Sequence, residues 1–145
     1  MGEKMELQSK SILRGNERIL FVDDNETVVN VVELMLKHLG YRVISFTDAR
    51  EAVRVFSEKP SEFDLVIIDY VMPHLTGMDV AEKVRRIRSD IPMILCTAYS
   101  DSISKEKAWA IGFRGFILKP FDYRKLAELV RGVLDGVPDN EEAGE

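Results

Sequence analysis

The chain has 145 residues, 46% of them hydrophobic, with a formal net charge of −5. A domain of this size buries about two-thirds of its unfolded surface in one core, so a disulfide framework is unnecessary; the single cysteine, Cys96, lies in the apolar run Pro92-Met93-Ile94-Leu95-Cys96 and reads as a small buried hydrophobe in a reducing, cytoplasmic setting. Twenty basic against twenty-five acidic side chains, with no dense Lys/Arg run, disfavour direct nucleic-acid binding, and no stretch approaches the roughly 20 apolar residues of a membrane span.

Residues 1–16 match neither the helix nor the strand period and are expected to form a flexible extension or linker. The domain proper is expected over residues 17–136, built as five βα units. Its strands are predicted at Ile19–Val22, Arg42–Phe46, Leu65–Ile68, Met93–Cys96 and Phe116–Leu118. Four of these runs are continuously apolar, as strands covered by helices on both faces should be. The second carries Arg42 and Ser45 and suits a sheet edge.

Helices are predicted over residues 26–39, 48–59, 77–88, 101–111 and 122–135, with Thr47 or Asp48, Ser100 or Asp101, and Asp122 as N-caps. Gly40, Gly112 and Gly136 follow three of them and can take the left-handed conformation that closes a helix. In the fourth helix Trp109 is predicted to point away from a face made by Ile103, Lys107 and Ala110, free to anchor a partner. Residues 137–145 form an acidic tail, predicted to be flexible.

The chemistry-bearing residues all fall at strand ends. Asp23 and Asp24 end the first strand, Asp69 the third, Thr97 the fourth and Lys119 the fifth. In a parallel α/β sheet these ends open onto one crevice, where ligands bind. Three carboxylates there repel one another unless a cation joins them. With no histidine or cysteine beside them the donors are hard oxygens, which favours Mg²⁺ or a similar ion such as Mn²⁺ over zinc or copper.

A carboxylate beside a cation, a hydroxyl and a lysine suits phosphoryl transfer. Asp69 can be the nucleophile that forms an acyl phosphate, with Asp23 and Asp24 on the cation, Thr97 donating a hydrogen bond and Lys119 pairing with phosphoryl oxygens. Taken singly, each of the three aspartates reads equally well as a turn former or helix cap; their joint order carries the argument.

Val22-Asp23-Asp24, Asp69-Tyr70-Val71-Met72-Pro73 with Gly77, Thr97-Ala98 and Lys119-Pro120-Phe121 together resemble the response-regulator receiver family, over roughly residues 17 to 135. The resemblance implies an α/β, flavodoxin-like (βα)5 doubly wound parallel sheet of strand order 2-1-3-4-5. It implies Asp69 as phosphoacceptor, Asp23 and Asp24 as the acidic cation pair, the Val71 carbonyl as a further ligand, Thr97 and Phe116 as switch residues and a cis peptide before Pro120.

It further implies that Val71 and Tyr99, two beyond the phosphoacceptor and two beyond the switch hydroxyl, set how readily water reaches the acyl phosphate. The implied donor is a sensor histidine kinase or phosphotransfer protein. The implied output is a protein contact through helix 4, strand 5 and helix 5. With no room after the fifth helix for an effector domain, the chain is expected to be a free-standing receiver or part of a larger kinase.

Two rivals fit less well. A dehalogenase-like phosphatase resembles its relatives in a second aspartate two residues after the nucleophile, where this chain has Val71. A flavodoxin needs a phosphate-binding first turn, whereas Asp23-Asp24-Asn25-Glu26-Thr27 is acidic.

Overall fold

The computed structural model describes residues 13–98 and 100–137. Five strands form one parallel sheet: β1 (Arg18–Val22), β2 (Arg42–Phe46), β3 (Leu65–Asp69), β4 (Met93–Thr97) and β5 (Phe113–Leu118), in the order β2-β1-β3-β4-β5. Five helices join them: α1 (Glu26–His38), α2 (Ala49–Glu58), α3 (Gly77–Ile87), α4 (Lys105–Ile111) and α5 (Tyr123–Leu134). Chain order and spatial order part company at β1 and β3, which both step away from the centre, and this puts the switch point beside the ends of those two strands.

Two apolar clusters fill the layers on either side of the sheet. On one face Leu20, Val22, Val66, Ile68 and Leu95 meet Phe56 of α2, Val80 and Val84 of α3 and Ala108 of α4. On the other Ile19, Phe21, Ile67 and Ile94 meet Val32 and Leu36 of α1 and Leu126 and Val130 of α5. Strand side chains alternate between faces, so the apolar runs of β1, β3 and β4 supply both cores at once, whereas β2 at the edge is only partly covered.

The helix boundaries follow their caps. Asp48 and Asp122 accept from the first-turn amides of α2 and α5, and Gly40, Gly112 and Gly136 have φ of 103°, 134° and 77°. α4 departs from the sequence reading: it starts at Lys105, capped by Ser104 rather than by Ser100 or Asp101. Asp101 instead spends its carboxylate on the Ala98 amide (2.7 Å), closing a turn after β4. The helix is thus a turn shorter than expected, and Ala108 is its buried residue, with Lys107 and Ala110 exposed. The predicted face of Ile103, Lys107 and Ala110 is therefore corrected, although Trp109 does remain 42% exposed.

Of the segment 1–16 expected to be flexible, residues 1–12 lie outside the described residues, as do 138–145 of the acidic tail. Residues 13–16 are held in place: Leu13 packs on the α1/α5 core, the Gly15 amide donates to the Leu39 carbonyl (3.1 Å), and Arg14 donates to the His38 carbonyl (3.1 Å). Among the described residues no helix is long and apolar enough to cross a membrane.

Candidate functional site

The carboxyl ends of the central strands gather Asp23, Asp24, Asp69 and Lys119. β1 and β3 pair in register as Val22↔Ile68, so Asp23, one residue past β1, and Asp69, the last of β3, come side by side. One carboxylate oxygen from each of Asp23, Asp24 and Asp69 lies within 4.8 Å of the others. Asp23 is fully buried and Asp69 nearly so, while Asp24 is exposed at the mouth.

Lys119 follows β5 directly, and its backbone amide donates to the Thr97 carbonyl (2.8 Å), which fixes where its side chain starts. Its Nζ stands 2.8 Å from Asp23 Oδ2 and 2.8 Å from Asp69 Oδ1. Asp23 Oδ1 accepts the Asn25 amide at 2.9 Å, whereas buried Oδ2 accepts no hydrogen bond of adequate angle and is held by ion-pair distance alone. A single ammonium therefore answers three carboxylates.

The ionisation of the site reflects this shortage. Burial pushes Asp69 up to about 6, with the Lys119 ammonium opposing and the charges of Asp23 and Asp24 adding to the rise. Burial works against the charged form of Lys119 too, but its attraction to Asp23 and Asp69 outweighs that and raises its pKa. Just below, burial pushes the Cys96 thiol well up, leaving it an inert core residue.

An all-oxygen donor set, closely spaced, with one fully buried carboxylate oxygen lacking a hydrogen bond, fits a hard divalent cation such as Mg²⁺ or Mn²⁺. The surrounding backbone keeps the cluster tight. A Cβ built on Gly77, the first residue of α3, would stand 2.5 Å from the Asp69 carbonyl oxygen, so only glycine lets this helix begin against β3. The Thr76–Asp79 capping box anchors the same helix start.

Thr97 ends β4, half-buried, one position beyond Cys96, the partner of Asp69 in register. Phe116 is half-buried in β5, paired with Leu95 and packed on the α2/α3/α4 side, with the Lys105 ammonium 5.6 Å from its ring centroid. Val71 is 60% exposed beside Asp69. Tyr99 lies outside the described residues. The Lys119–Pro120 peptide is cis.

Sequence reasoning missed the capping and orienting role of Asn25 and read Asp101 as a helix cap rather than as the brace of a loop. Asn25 caps α1 through its side chain while its amide orients Asp23; an Asx residue two positions after an acidic strand end was the available signal. Asp101 braces the loop that follows Thr97.

The pattern of the "Response regulator receiver domain" family matches residues 19–131. A "Probable transcriptional regulator ycf27" of Porphyridium aerugineum is 36% identical over 118 residues, 81% of this chain and 48% of that protein. The "Alkaline phosphatase synthesis transcriptional regulatory protein PhoP" of Bacillus subtilis (strain 168) is 32% identical over 120 residues, 82% of this chain and 49% of that protein. The chain thus spans about half the length of the curated relatives it matches.

Among solved structures, a response regulator receiver domain protein from Clostridium thermocellum superposes with a TM-score of 0.78 at 26% identity, covering 83% of this chain and 95% of that one. The receiver domain of the sensor histidine kinase PA1611 from Pseudomonas aeruginosa PAO1, which has a magnesium ion coordinated in its active-site cleft, gives 0.74 at 28% identity, covering 83% and 99%.

Proposed function

The chain belongs to the response regulator receiver domain family of two-component signalling, and from that premise we propose that it accepts a phosphoryl group on Asp69 from a partner's phosphohistidine. The observation that carries the proposal is the Lys119 ammonium 2.8 Å from both Asp23 and Asp69, within a cluster of three carboxylates. A site with this excess of negative charge is built to receive positive charge, and then the phosphoryl oxygens that such charge attracts.

With Oδ1 of Asp69 paired to Lys119, its other oxygen is the nucleophile. That oxygen attacks phosphorus in line; an O–P bond forms, the P–N bond breaks, and the imidazole leaves as a neutral ring keeping the proton on its other nitrogen. Lys119 swings its charge from the carboxylate to a phosphoryl oxygen, and Thr97 donates its hydroxyl to another. Mg²⁺ or Mn²⁺ held by Asp23, Asp24, Asp69 and the Val71 carbonyl would neutralise charge on the transferring group. Hydrolysis reverses the state: water attacks phosphorus, the bond to Asp69 breaks, and inorganic phosphate leaves.

Phosphorylation draws Thr97 inward and lets Phe116 turn toward the vacated space, which shifts the surface of α4, β5 and α5 between two states read by a downstream protein. Val71 and Tyr99 offer no carboxylate or amide to orient water, so self-dephosphorylation is slow. The domain's own output, in a chain of net charge −5, is a protein contact made in the cytoplasm.

Incubation with acetyl phosphate and Mg²⁺ followed by intact-mass measurement tests the proposal. One phosphoryl group should add to the wild type and none to Asp69→Asn or in excess chelator; a gain that survives Asp69→Asn overturns the assignment. A phosphorylated half-life that fails to shorten when Val71 and Tyr99 are replaced by small polar residues overturns the lifetime claim.

A further inference from the structure

Away from the carboxylate crevice, at the opposite end of β4 and β5, two adjoining cavities of about 230 and 370 Å³ share Arg85 and Ser89. Arg114 and Gly112 line the smaller one and Arg86 the larger. Among the described residues Arg18, Arg50, Arg54, Arg88 and Arg131 each hold a carboxylate and Arg14, Arg42, Arg85, Arg86, Arg114 and Arg124 hold none; of the latter, Arg85, Arg86 and Arg114 line these cavities. Arg85 donates to the Ala110 carbonyl, and Arg114 to those of Trp109 and Phe113, so both are positioned by backbone with their charge unanswered. Of the acidic residues lining the cavities, Asp90 is taken by Arg88, and Glu82 alone stands against three guanidinium groups.

An acidic protein that concentrates three unanswered arginines in one cleft has made an anion site, and the chain carries a matching anion. Residues 138–145, Pro-Asp-Asn-Glu-Glu-Ala-Gly-Glu, contain four carboxylates and no basic residue. They begin just after Val137, whose amide closes the end of α5 on the Gly132 carbonyl. Val133 in that last turn reaches within 3.0 Å of a Cβ built on Gly115, the residue after Arg114 on the edge strand β5. Eight residues span roughly 26 Å when extended, and they start one helical turn past Val133, which packs against the β5 edge beside Arg114.

We propose that the acidic segment 138–145 binds in cis to the Arg85, Arg86 and Arg114 cleft between α3, α4 and β5. Tethering gives the segment an effective concentration in the millimolar range, so a contact too weak to hold a free peptide is still occupied here. The site is independent of the phosphotransfer reading and survives if that reading fails.

Trp109 is the only tryptophan in the chain, and the Arg114 guanidinium stacks 4.3 Å from its ring, so its fluorescence reports on the cleft directly. The full chain should differ in emission from a chain ending at Val137, and the difference should vanish at about 1 M salt, where the screening length falls to about 3 Å. The full-length double variant Arg85→Glu, Arg86→Glu, which leaves the Arg114–Trp109 stack in place, should emit like the shortened chain. Backbone amide shifts at Ser89 and Gly112 should follow the same pattern. Equal spectra for the full and shortened chains overturn the proposal. So does a difference that scales with protein concentration, which would make the occupant another copy's tail, or one that persists unchanged in the double variant.

Discussion

At the amino ends of the strands Arg131 meets Glu17 at 2.7 Å and Asp135 at 2.9 Å and also donates to the Tyr41 hydroxyl, while Arg18 holds Asp64 beside the start of β3. At the carboxyl ends Lys119 alone confronts Asp23 and Asp69, with Asp24 nearby. Both ends are charged, but around the starts of β1, β2 and β3 the charges are balanced within the chain, whereas the carboxyl ends are left short of positive charge. The balanced end spends its ion pairs on holding residues 14–17 against α1 and α5. The unbalanced end stores carboxylate repulsion that a bound cation would relieve, which is how a site can gain affinity at the expense of fold stability.

The comparison breaks most sharply at Lys119. Lys119→Met leaves a fully buried carboxylate without its cation and should destabilise the metal-free protein by about 3 kcal/mol in urea unfolding, with Mg²⁺ recovering part of the loss. Gly77→Ala forces a methyl onto the Asp69 carbonyl and should cost about 2 kcal/mol while weakening Mg²⁺ binding measured by calorimetry. At the other end Arg131→Ala should cost about 1.5 kcal/mol, leave Mg²⁺ affinity unchanged, and speed amide exchange at Gly15. Asp69→Asn should act in the opposite direction, stabilising the metal-free protein by on the order of 1 kcal/mol at neutral pH and reducing the rise in Tm that Mg²⁺ brings.

The two ends should also titrate with opposite signs. Asp69, raised to about 6, contributes stability that is fully present below the ordinary carboxylate value of about 3.9 and is lost as pH rises through 6 in the absence of metal. The Arg131 hydrogen bond holds Glu17 below the usual range; burial opposes this at Asp64, but the Arg18 bonds outweigh it. Their contribution is complete above the ordinary carboxylate range and is lost as pH falls through the depressed values. Unfolding in a pH series should therefore show both slopes, with Asp69→Asn flattening the upper and Glu17→Gln the lower; parallel changes in both variants would sink the contrast.

Much of this was legible in the sequence because the informative signals are local. Four uninterrupted apolar runs located the buried strands, and the Arg42 and Ser45 interruptions marked β2 as the edge. Asp23, Asp24, Asp69 and Lys119 stood at strand ends, where topology alone brings them together. The start of α4 was misread because Asp101 and Ser104 are both competent caps, and the choice turns on the Ala98 amide, which only the folded loop presents to Asp101. The Arg131 network was invisible because its ends are 114 residues apart and nothing near either predicts the other. The arginine cleft was hidden for a related reason: Arg85 and Arg86 lie on α3, whereas Arg114 arrives from strand β5.

Because every strand pairing is parallel, no two neighbouring strands can be joined by a tight hairpin, and each must wait for a helical crossover to return the chain. The residues proposed for phosphotransfer come from positions 23, 24, 69, 97 and 119, so the last of them is supplied only when the final strand has docked. Assembling this site therefore depends on contacts between residues far apart in sequence, which as a rule form later than local ones. A chain released before residue 119 has its acidic cluster but lacks the lysine that balances it. The charge of the crevice is therefore set only once β5 has docked and brought Lys119 to the carboxylates.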